Sequence, residues 1–484
     1  MVDQNQNIGM AFRAIAAEHP DLPAIIFPDI ELSYAKLWRL SAAFARQMQR
    51  HGVDRDSVIS MRADDPSIVT AALIASSLLG ARFAQDVGDR DVSAFISITH
   101  SFLTRAANEA DPDNRIEIDA SWSPASVLTD DIGDFPGYVD PDADWLIVHT
   151  SGTTGYPKFM GLSQKVVFER SAAVKADFVP QTRFACLFPA TSRPFFARIC
   201  AALLNGCTLL AGREPAFLQR ESVRMISASH AQIASLLADS DLTPKIPLLE
   251  ISGAPMTPEL AQRLLRSFNT VADVYGASET NKTFVNILTL DRDGQVRTKG
   301  QPLDSLVEIV TPDGLPIGPE QKGQVRIRNP YLARGYLQNE EATLAAFKDG
   351  WFYPGDIASW GASGELIVRE RDDDVVNFAG FKVHALAIDA VLRGVDGIRD
   401  AACFMNPKPG AKAELFAFVV LDENTNKLQL TATAKYRCGE TFGKAFVPRI
   451  IREVAGIPRL SNSHPDRTAC AALILSVGAA AASA

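Results

Sequence analysis

The sequence predicts an α/β protein: a large N-terminal domain of parallel-type sheets flanked by helices, with a β-rich subdomain, followed by a small C-terminal unit. Three observations predict it. Short apolar runs alternate with helix-period segments through the first half of the chain. From Asp304 the texture changes to strands and turns. The run Arg371-Asp372-Asp373-Asp374 is poor core material and divides the chain into 1–371 and 372–484. At 484 residues the chain is too long for one ordinary core, given about 100–200 residues per domain.

The elements follow in order. Asn7 to His19 carries apolar residues at helical spacing, Ala24 to Phe27 is a short strand, and Ser33 to Gly52 is an amphipathic helix opening at a serine cap. Ser67 to Leu79 is apolar nearly all round, as in a helix buried between layers. The runs Trp145–His149, Cys200–Leu204, Thr208–Ala211, Leu248–Ser252 and Val271–Tyr275 read as the short strands of a parallel sheet. Leu306–Val310 and Gln324–Arg328 flank the turn Thr311-Pro312-Asp313-Gly314. Ala401–Met405 and Leu415–Val420 are strands of the last unit.

Composition narrows the function. Hydrophobic residues make up 47% and charged residues 22%, which excludes a mostly disordered chain. A net charge of -9 argues against general nucleic-acid or anionic-membrane binding, although a local basic groove could hold a phosphate-bearing ligand. The first residues show neither a basic n-region nor an apolar h-region, so no secretory signal is read. The six cysteines form no C-x-x-C pair and fit scattered buried thiols of a cytoplasmic protein. The Ala-rich tail from Ala469 to Ala484 falls short of the about 20 residues a membrane span needs, and a docked or frayed terminus is expected.

The most informative stretch is Thr150-Ser151-Gly152-Thr153-Thr154-Gly155-Tyr156-Pro157-Lys158, directly after the strand WLIVH. Its glycines let the backbone turn tightly and aim N–H groups inward, while hydroxyls and one lysine add donors, the parts of a polyphosphate cradle. It is not a G-x-x-x-x-G-K-[ST] loop. A surface loop with self-satisfied hydroxyls is the bland alternative, and the rarity of the whole unit favours phosphate.

This loop resembles the ATP-binding signature of the acyl-adenylate-forming superfamily, which includes acyl- and aryl-CoA synthetases, peptide-synthetase adenylation domains and firefly luciferase. Further motifs follow in the same order: Ser252-Gly253-Ala254-Pro255, Tyr275-Gly276-Ala277-Ser278-Glu279-Thr280, Gly300-Gln301-Pro302, Gly335-Tyr336, Gly350-Trp351-Phe352-Tyr353-Pro354-Gly355-Asp356, Arg371-Asp372-Asp373-Asp374 and Gly380-Phe381-Lys382-Val383. The resemblance implies that Thr150, Ser151, Thr153, Thr154 and Lys158 hold the β- and γ-phosphates of ATP within a turn shaped by Gly152 and Gly155. It also implies that Glu279 holds Mg²⁺ and that Thr280 lies near the α-phosphate. Gly253, Ala254 and Pro255 would line the acyl pocket and adenine site, and Tyr275 would stack on adenine in a motif shared with Gly276 and Ser278. Asp356 would accept both ribose hydroxyls, with Arg371 as a further donor. The C-terminal α+β domain would be mobile about a hinge at Asp373, with Gly380 leaving room for a pantetheine arm. Taken singly, Glu279 and Asp356 would read as solvated surface carboxylates.

The sequence departs from that pattern where the family's C-terminal lysine is expected. Pro458-Arg459-Leu460-Ser461-Asn462-Ser463-His464-Pro465-Asp466-Arg467 places His464 there. A shorter, mostly neutral imidazole in place of a positioned cation costs about 10²–10³ in rate. Three outcomes stay open: His464 is a poor substitute or a loop histidine without a role, another cation such as Lys444, Arg459 or Arg467 enters, or adenylation is lost. Phe159, Gln164, Glu370 and Asn377 are smaller departures. In the acyl region, Phe195 and Phe196 suit either an apolar acyl group or the core. Arg193 and Arg198 suit either a second substrate carboxylate or the surface. No Asp is available there for a substrate amine, which disfavours amino acids. The expected activity is that of an acid–thiol ligase. It would use ATP, Mg²⁺ and a small fatty or aromatic carboxylic acid, with CoA or an acyl carrier protein as acceptor, and a homodimer is allowed for. The alternatives are a half-enzyme that only transfers acyl groups from a supplied acyl-AMP, and a non-catalytic nucleotide- or acyl-binding regulator.

Overall fold

The computed structural model describes residues 7–86, 92–104, 115–122, 135, 140, 142–150, 158–174, 177–238, 240–253, 256–371, 375–378, 381–405, 414–422, 427–459, 465–467 and 469–474. Three helices open the fold. Asn7 caps Ile8–Glu18, Ser33 caps Tyr34–Arg50 and Asp65 caps Pro66–Leu79, each side chain accepting from a backbone N–H of the first turn. The third helix is buried nearly all round, as its composition requires, and ends on Gly80 in the left-handed region. Long-range polar contacts fix its position. Trp145 Nε1 donates to Ser76 Oγ at 3.0 Å, while Gln164 Oε1 accepts from Ser77 Oγ at 2.6 Å and from the Ile8 N–H at 2.7 Å. Gln164 is thus a buried tie between the first and third helices.

Two sheets pack on these helices. The nine-stranded sheet runs Val296–Pro302, Asn281–Leu290, Phe268–Ala277, Ile246–Ser252, Met225–Ser229, Arg183–Cys186, Thr208–Leu210, Pro23–Ile26, Glu31–Ser33. It is parallel from Phe268–Ala277 through Pro23–Ile26 and antiparallel at both ends. The six-stranded sheet runs Arg115–Ile118, His100–Thr104, Val58–Arg62, Arg82–Ala84, Asp144–Thr150, Lys158–Ser163, and only its last pair is antiparallel. The expected strand at Cys200–Leu204 is instead the end of the helix Arg193–Leu203. A short apolar run does not distinguish a buried helix from a strand. Here Ser192 as cap and Pro194 in the first turn select the helix.

The β-rich part is a six-stranded antiparallel sheet built from Leu306–Val310, Gly323–Arg328, Phe347–Lys348, Trp351–Phe352, Asp356–Trp360 and Leu366–Arg371. Beyond 374 a hairpin, Val375–Phe378 with Phe381–His384, precedes a three-stranded sheet of Ile398–Met405, Leu415–Leu421 and Ile450–Glu453 and the helices Ala385–Arg393 and Lys427–Phe442. This last unit has its own core, with Ile388, Leu392, Ala401, Ala417 and Cys438 on one side of the sheet and Phe404, Phe418 and Cys470 on the other. The start of the Ala-rich tail docks there through Cys470, Ala471 and Ile474. Among the described residues no helix is long and apolar enough to cross a membrane.

The fully buried Asp389 is the polar anchor of that core. Burial raises its pKa while Arg467 opposes the shift, and Arg467 Nη2 donates to Asp389 Oδ2 at 2.7 Å. Removing one member of such a pair leaves an uncompensated buried charge. Arg467→Met is therefore expected to lower stability by about 3–5 kcal/mol in denaturant unfolding. A loss below about 1 kcal/mol would contradict this reading.

Candidate active site

The hairpin Asp144–Thr150/Lys158–Ser163 sets Thr150 opposite Lys158, so both stand at the root of the glycine-rich loop. Lys158 Nζ lies 5.3 Å from the Tyr336 ring centroid. The Tyr336 hydroxyl donates to Glu279 Oε1 at 2.7 Å, and Glu279 is buried. Lysine, tyrosine and carboxylate thus form a chain from the phosphate-type loop to an acidic residue.

The turn that presents Glu279 is shaped by close approach. Tyr275 and Gly276 flank a bulge in the strand Phe268–Ala277, and a Cβ on Gly276 would stand 2.1 Å from the Asn281 carbonyl oxygen. The Ala277 N–H donates to Thr280 Oγ1 at 3.1 Å, and Asn281 leaves the turn with φ 63°. From outside the turn, Arg170 holds it. Its guanidinium donates to the carbonyls of Ser278 at 2.9 Å, Glu279 at 2.7 Å and Tyr331 at 3.1 Å. Burial, then the like charge of Arg193, presses Arg170 down to about 9, which leaves it charged at neutral pH.

A second carboxylate completes this side. Tyr275 Oη donates to Asp356 Oδ2 at 2.6 Å, and Asp356 pairs in register with Arg371 on the neighbouring strand. Gly253 ends the strand Ile246–Ser252 with φ 101°, a conformation that excludes most other residues. The two expected groups, Lys158 with Glu279 and Tyr275 with Asp356, are thus joined through the single turn 275–280.

Next to that turn lies a small cavity of about 30 Å³. Four basic side chains line it, Arg170, Arg193, Arg198 and Lys282, together with Phe196 and Asn281. Arg198 Nε donates to Ser227 Oγ at 2.8 Å, and its Nη2 pairs with Glu250. Glu250 also pairs with Lys282, which reaches Asp177 at 3.1 Å. Burial opposes ionisation of Glu250, but Arg198 and Lys282 overcome it and hold the carboxyl down to about 2. Phe195 belongs to the core and Phe196 faces both core and cavity, packing edge-on against Phe83 at 5.6 Å.

Several expected residues lie outside the described ones: Ser151, Gly152, Thr153, Thr154, Gly155, Ala254, Pro255, Asp373, Gly380 and His464. For Arg371 the backbone alone is described. Of the cations considered as stand-ins for the family lysine, Arg459 pairs with Asp400 and Arg467 with Asp389, while Lys444 is exposed in a short 3₁₀ turn. Phe159 fills a core position against Phe95 and His149.

Sequence reasoning missed Arg170, Glu250 and Lys282, and took Tyr336 only as part of a Gly-Tyr pair. That pair was the one available signal, since the partners of Arg170 lie more than 100 residues away.

With this geometry in hand, comparison with known proteins decides the family. The family model described as AMP-binding enzyme matches residues 88–337, just over half of the chain. The chain belongs to that family. The 2-succinylbenzoate–CoA ligase of Bacillus subtilis (strain 168) is 23% identical over 471 residues, covering 92% of this chain and 93% of the relative. The feruloyl-CoA synthase of an Amycolatopsis species is 25% identical over 439 residues, covering 84% and 87%. The solved structure of O-succinylbenzoate coenzyme A synthetase from Bacillus subtilis with AMP matches with a TM-score of 0.77 at 20% identity, over 95% of this chain and 97% of that one. The same synthetase with ATP and magnesium ion matches at 0.75.

In this AMP-binding enzyme the charge chain beside the cavity is testable. The folded pKa of Glu250, about 2, lies below its ordinary 4.5. Its contribution is therefore full above about pH 4.5 and is lost as the pH falls from there towards 2. Glu250→Gln is expected to cost about 3–5 kcal/mol at pH 7, because Arg198 and Lys282 stay buried without their shared anion, and to flatten the acid limb of a stability–pH profile. An unchanged acid limb would contradict it.

Proposed function

We propose that the protein is an acid–thiol ligase with two domains, 1–371 and 372–484, the second moving about Asp373. A carboxylic acid attacks the α-phosphorus of ATP, giving acyl-AMP and pyrophosphate, and CoA or a carrier-protein thiol then displaces AMP. The observation that carries this reading is the junction of Lys158, Tyr336 and Glu279 with Tyr275 and Asp356 through one turn. It supplies a cation and a buried acid at one end, and an aromatic ring and a second acid at the other.

Each group then has a task. Lys158 and the loop hydroxyls neutralise the departing pyrophosphate. Thr280, in the turn next to Glu279, orients the α-phosphate end. Asp356 accepts from the ribose hydroxyls, and Tyr275, tethered to it, lies against the adenine. Among the described residues no cluster of three or more His, Cys, Asp or Glu forms a protein-only metal cage. A lone buried carboxylate such as Glu279 suits magnesium, which is usually held by one or two carboxylates together with substrate phosphates. When bound there, the ion would neutralise phosphate charge. The similarity to 2-succinylbenzoate–CoA ligase and feruloyl-CoA synthase supports a small organic acid and CoA.

His464 favours a second reading, in which the chain only transfers acyl groups from a supplied acyl-AMP. Pyrophosphate release with MgATP and pooled fatty and aromatic acids, trapped by hydroxylamine, separates the two. Under the ligase reading wild type turns over and His464→Lys is not much faster. Under the second reading wild type is silent, His464→Lys gains about 10²–10³ in rate, and wild type still moves acyl groups from synthetic acyl-AMP to CoA. Silence of both proteins in both assays would contradict both readings.

A further inference from the structure

The cavity beside the Glu279 turn carries an imbalance of charge. Four basic side chains line it and no acidic one does, among the described residues. Three of the four are already engaged. Arg198 and Lys282 share Glu250, and Lys282 also reaches Asp177. Arg170 is engaged by backbone carbonyls, to which it donates four hydrogen bonds. Arg193 differs. Its hydrogen bond to the described residues is one long contact, Nη2 to Asn281 Oδ1 at 3.3 Å, and no described carboxylate pairs with it.

Glu279 lies near enough for its charge to favour ionised Arg193, yet its Oε1 accepts from Tyr336. Burial and then the like charge of Arg198 hold Arg193 down to about 10, so an incoming anion would relieve an unfavourable environment. The position is also apt. Asn281 follows Thr280 directly and accepts from Arg193, so Arg193 stands beside the turn where the reacting carboxylate would meet the α-phosphate. Phe196 lines the same small cavity.

We propose that Arg193 is a specificity-determining residue that binds a second, distal carboxylate, so that the preferred substrates are dicarboxylic acids. The inference rests on the ligase reading above. Guanidinium and carboxylate meet there as a charge-assisted pair, and no described acidic side chain lines that cavity.

Matched 5′-O-(N-acylsulfamoyl)adenosines test this without chemistry. The pairs are hexanoyl against the adipic half-amide analogue, and 3-phenylpropanoyl against its 2-carboxyphenyl counterpart. By calorimetry the carboxylated member should bind about 10–100-fold tighter to wild type, the range for a buried hydrogen bond to a charged group. Arg193→Met should bring that ratio near one. So should Asn281→Asp, which leaves Arg193 in place and gives it a resident carboxylate, in a residue type that tolerates the left-handed backbone at φ 63°. Equal binding of each pair, preference for the uncarboxylated member, or a ratio that survives Arg193→Met would overturn the inference. AMP is titrated alongside. AMP binding without a carboxylate preference defeats this inference and leaves the ligase reading standing, whereas no binding of AMP or any analogue defeats the ligase reading and this inference with it.

Discussion

The site depends on one buried cation that has no carboxylate partner among the described residues. Arg170 is held by the carbonyl oxygens of Ser278, Glu279 and Tyr331, donating four hydrogen bonds to three backbone groups. A guanidinium out of water must be satisfied by strong acceptors, and peptide carbonyls in fixed positions serve. The consequence is geometric. The turn after the strand Phe268–Ala277 and the segment beginning at Tyr331 are pulled onto one side chain, so Tyr336 reaches Glu279 and Lys158 lies over the Tyr336 ring. Without Arg170, three separate stretches of chain would have to find that arrangement through weaker contacts.

The same region separates its charges into two systems. Around Glu279 the buried acid accepts from a neutral hydroxyl, that of Tyr336. Around the cavity, Glu250 is wholly committed to Arg198 and Lys282. Buried ion pairs seldom stabilise more than well-packed apolar residues would, so such a chain is weak evidence for stability. Its effect here is on shape and charge. It fixes two cations in the cavity wall, whereas Arg193 pairs with no carboxylate among the described residues.

Much of the fold was legible from the sequence because its signals are local. The serine cap at Ser33, the nearly all-apolar helix Pro66–Leu79 and the β-rich texture after Asp304 needed no tertiary information. The helix at Cys200–Leu203 was misread because a short apolar run has no period of its own. Glu279 and Asp356 stood out as candidates only as members of ordered motifs, since alone they look like surface acids. The supporting residues were not legible. Arg193 and Arg198 lie five positions apart on one helix and look alike in sequence. They are told apart by Ser227 and Glu250, which arrive from strands the helix sequence does not encode.

The most direct test of this account is the magnesium dependence of nucleotide binding in Arg170→Met, measured by calorimetry beside wild type. The account predicts that AMP affinity stays close to wild type, because the Tyr275–Asp356 end does not touch Arg170. It also predicts that the extra affinity wild type shows for ATP with magnesium over ATP with EDTA is lost, because Glu279 is no longer held. Equal weakening of AMP and MgATP, or retention of the full magnesium effect, would contradict the claim that Arg170 positions Glu279.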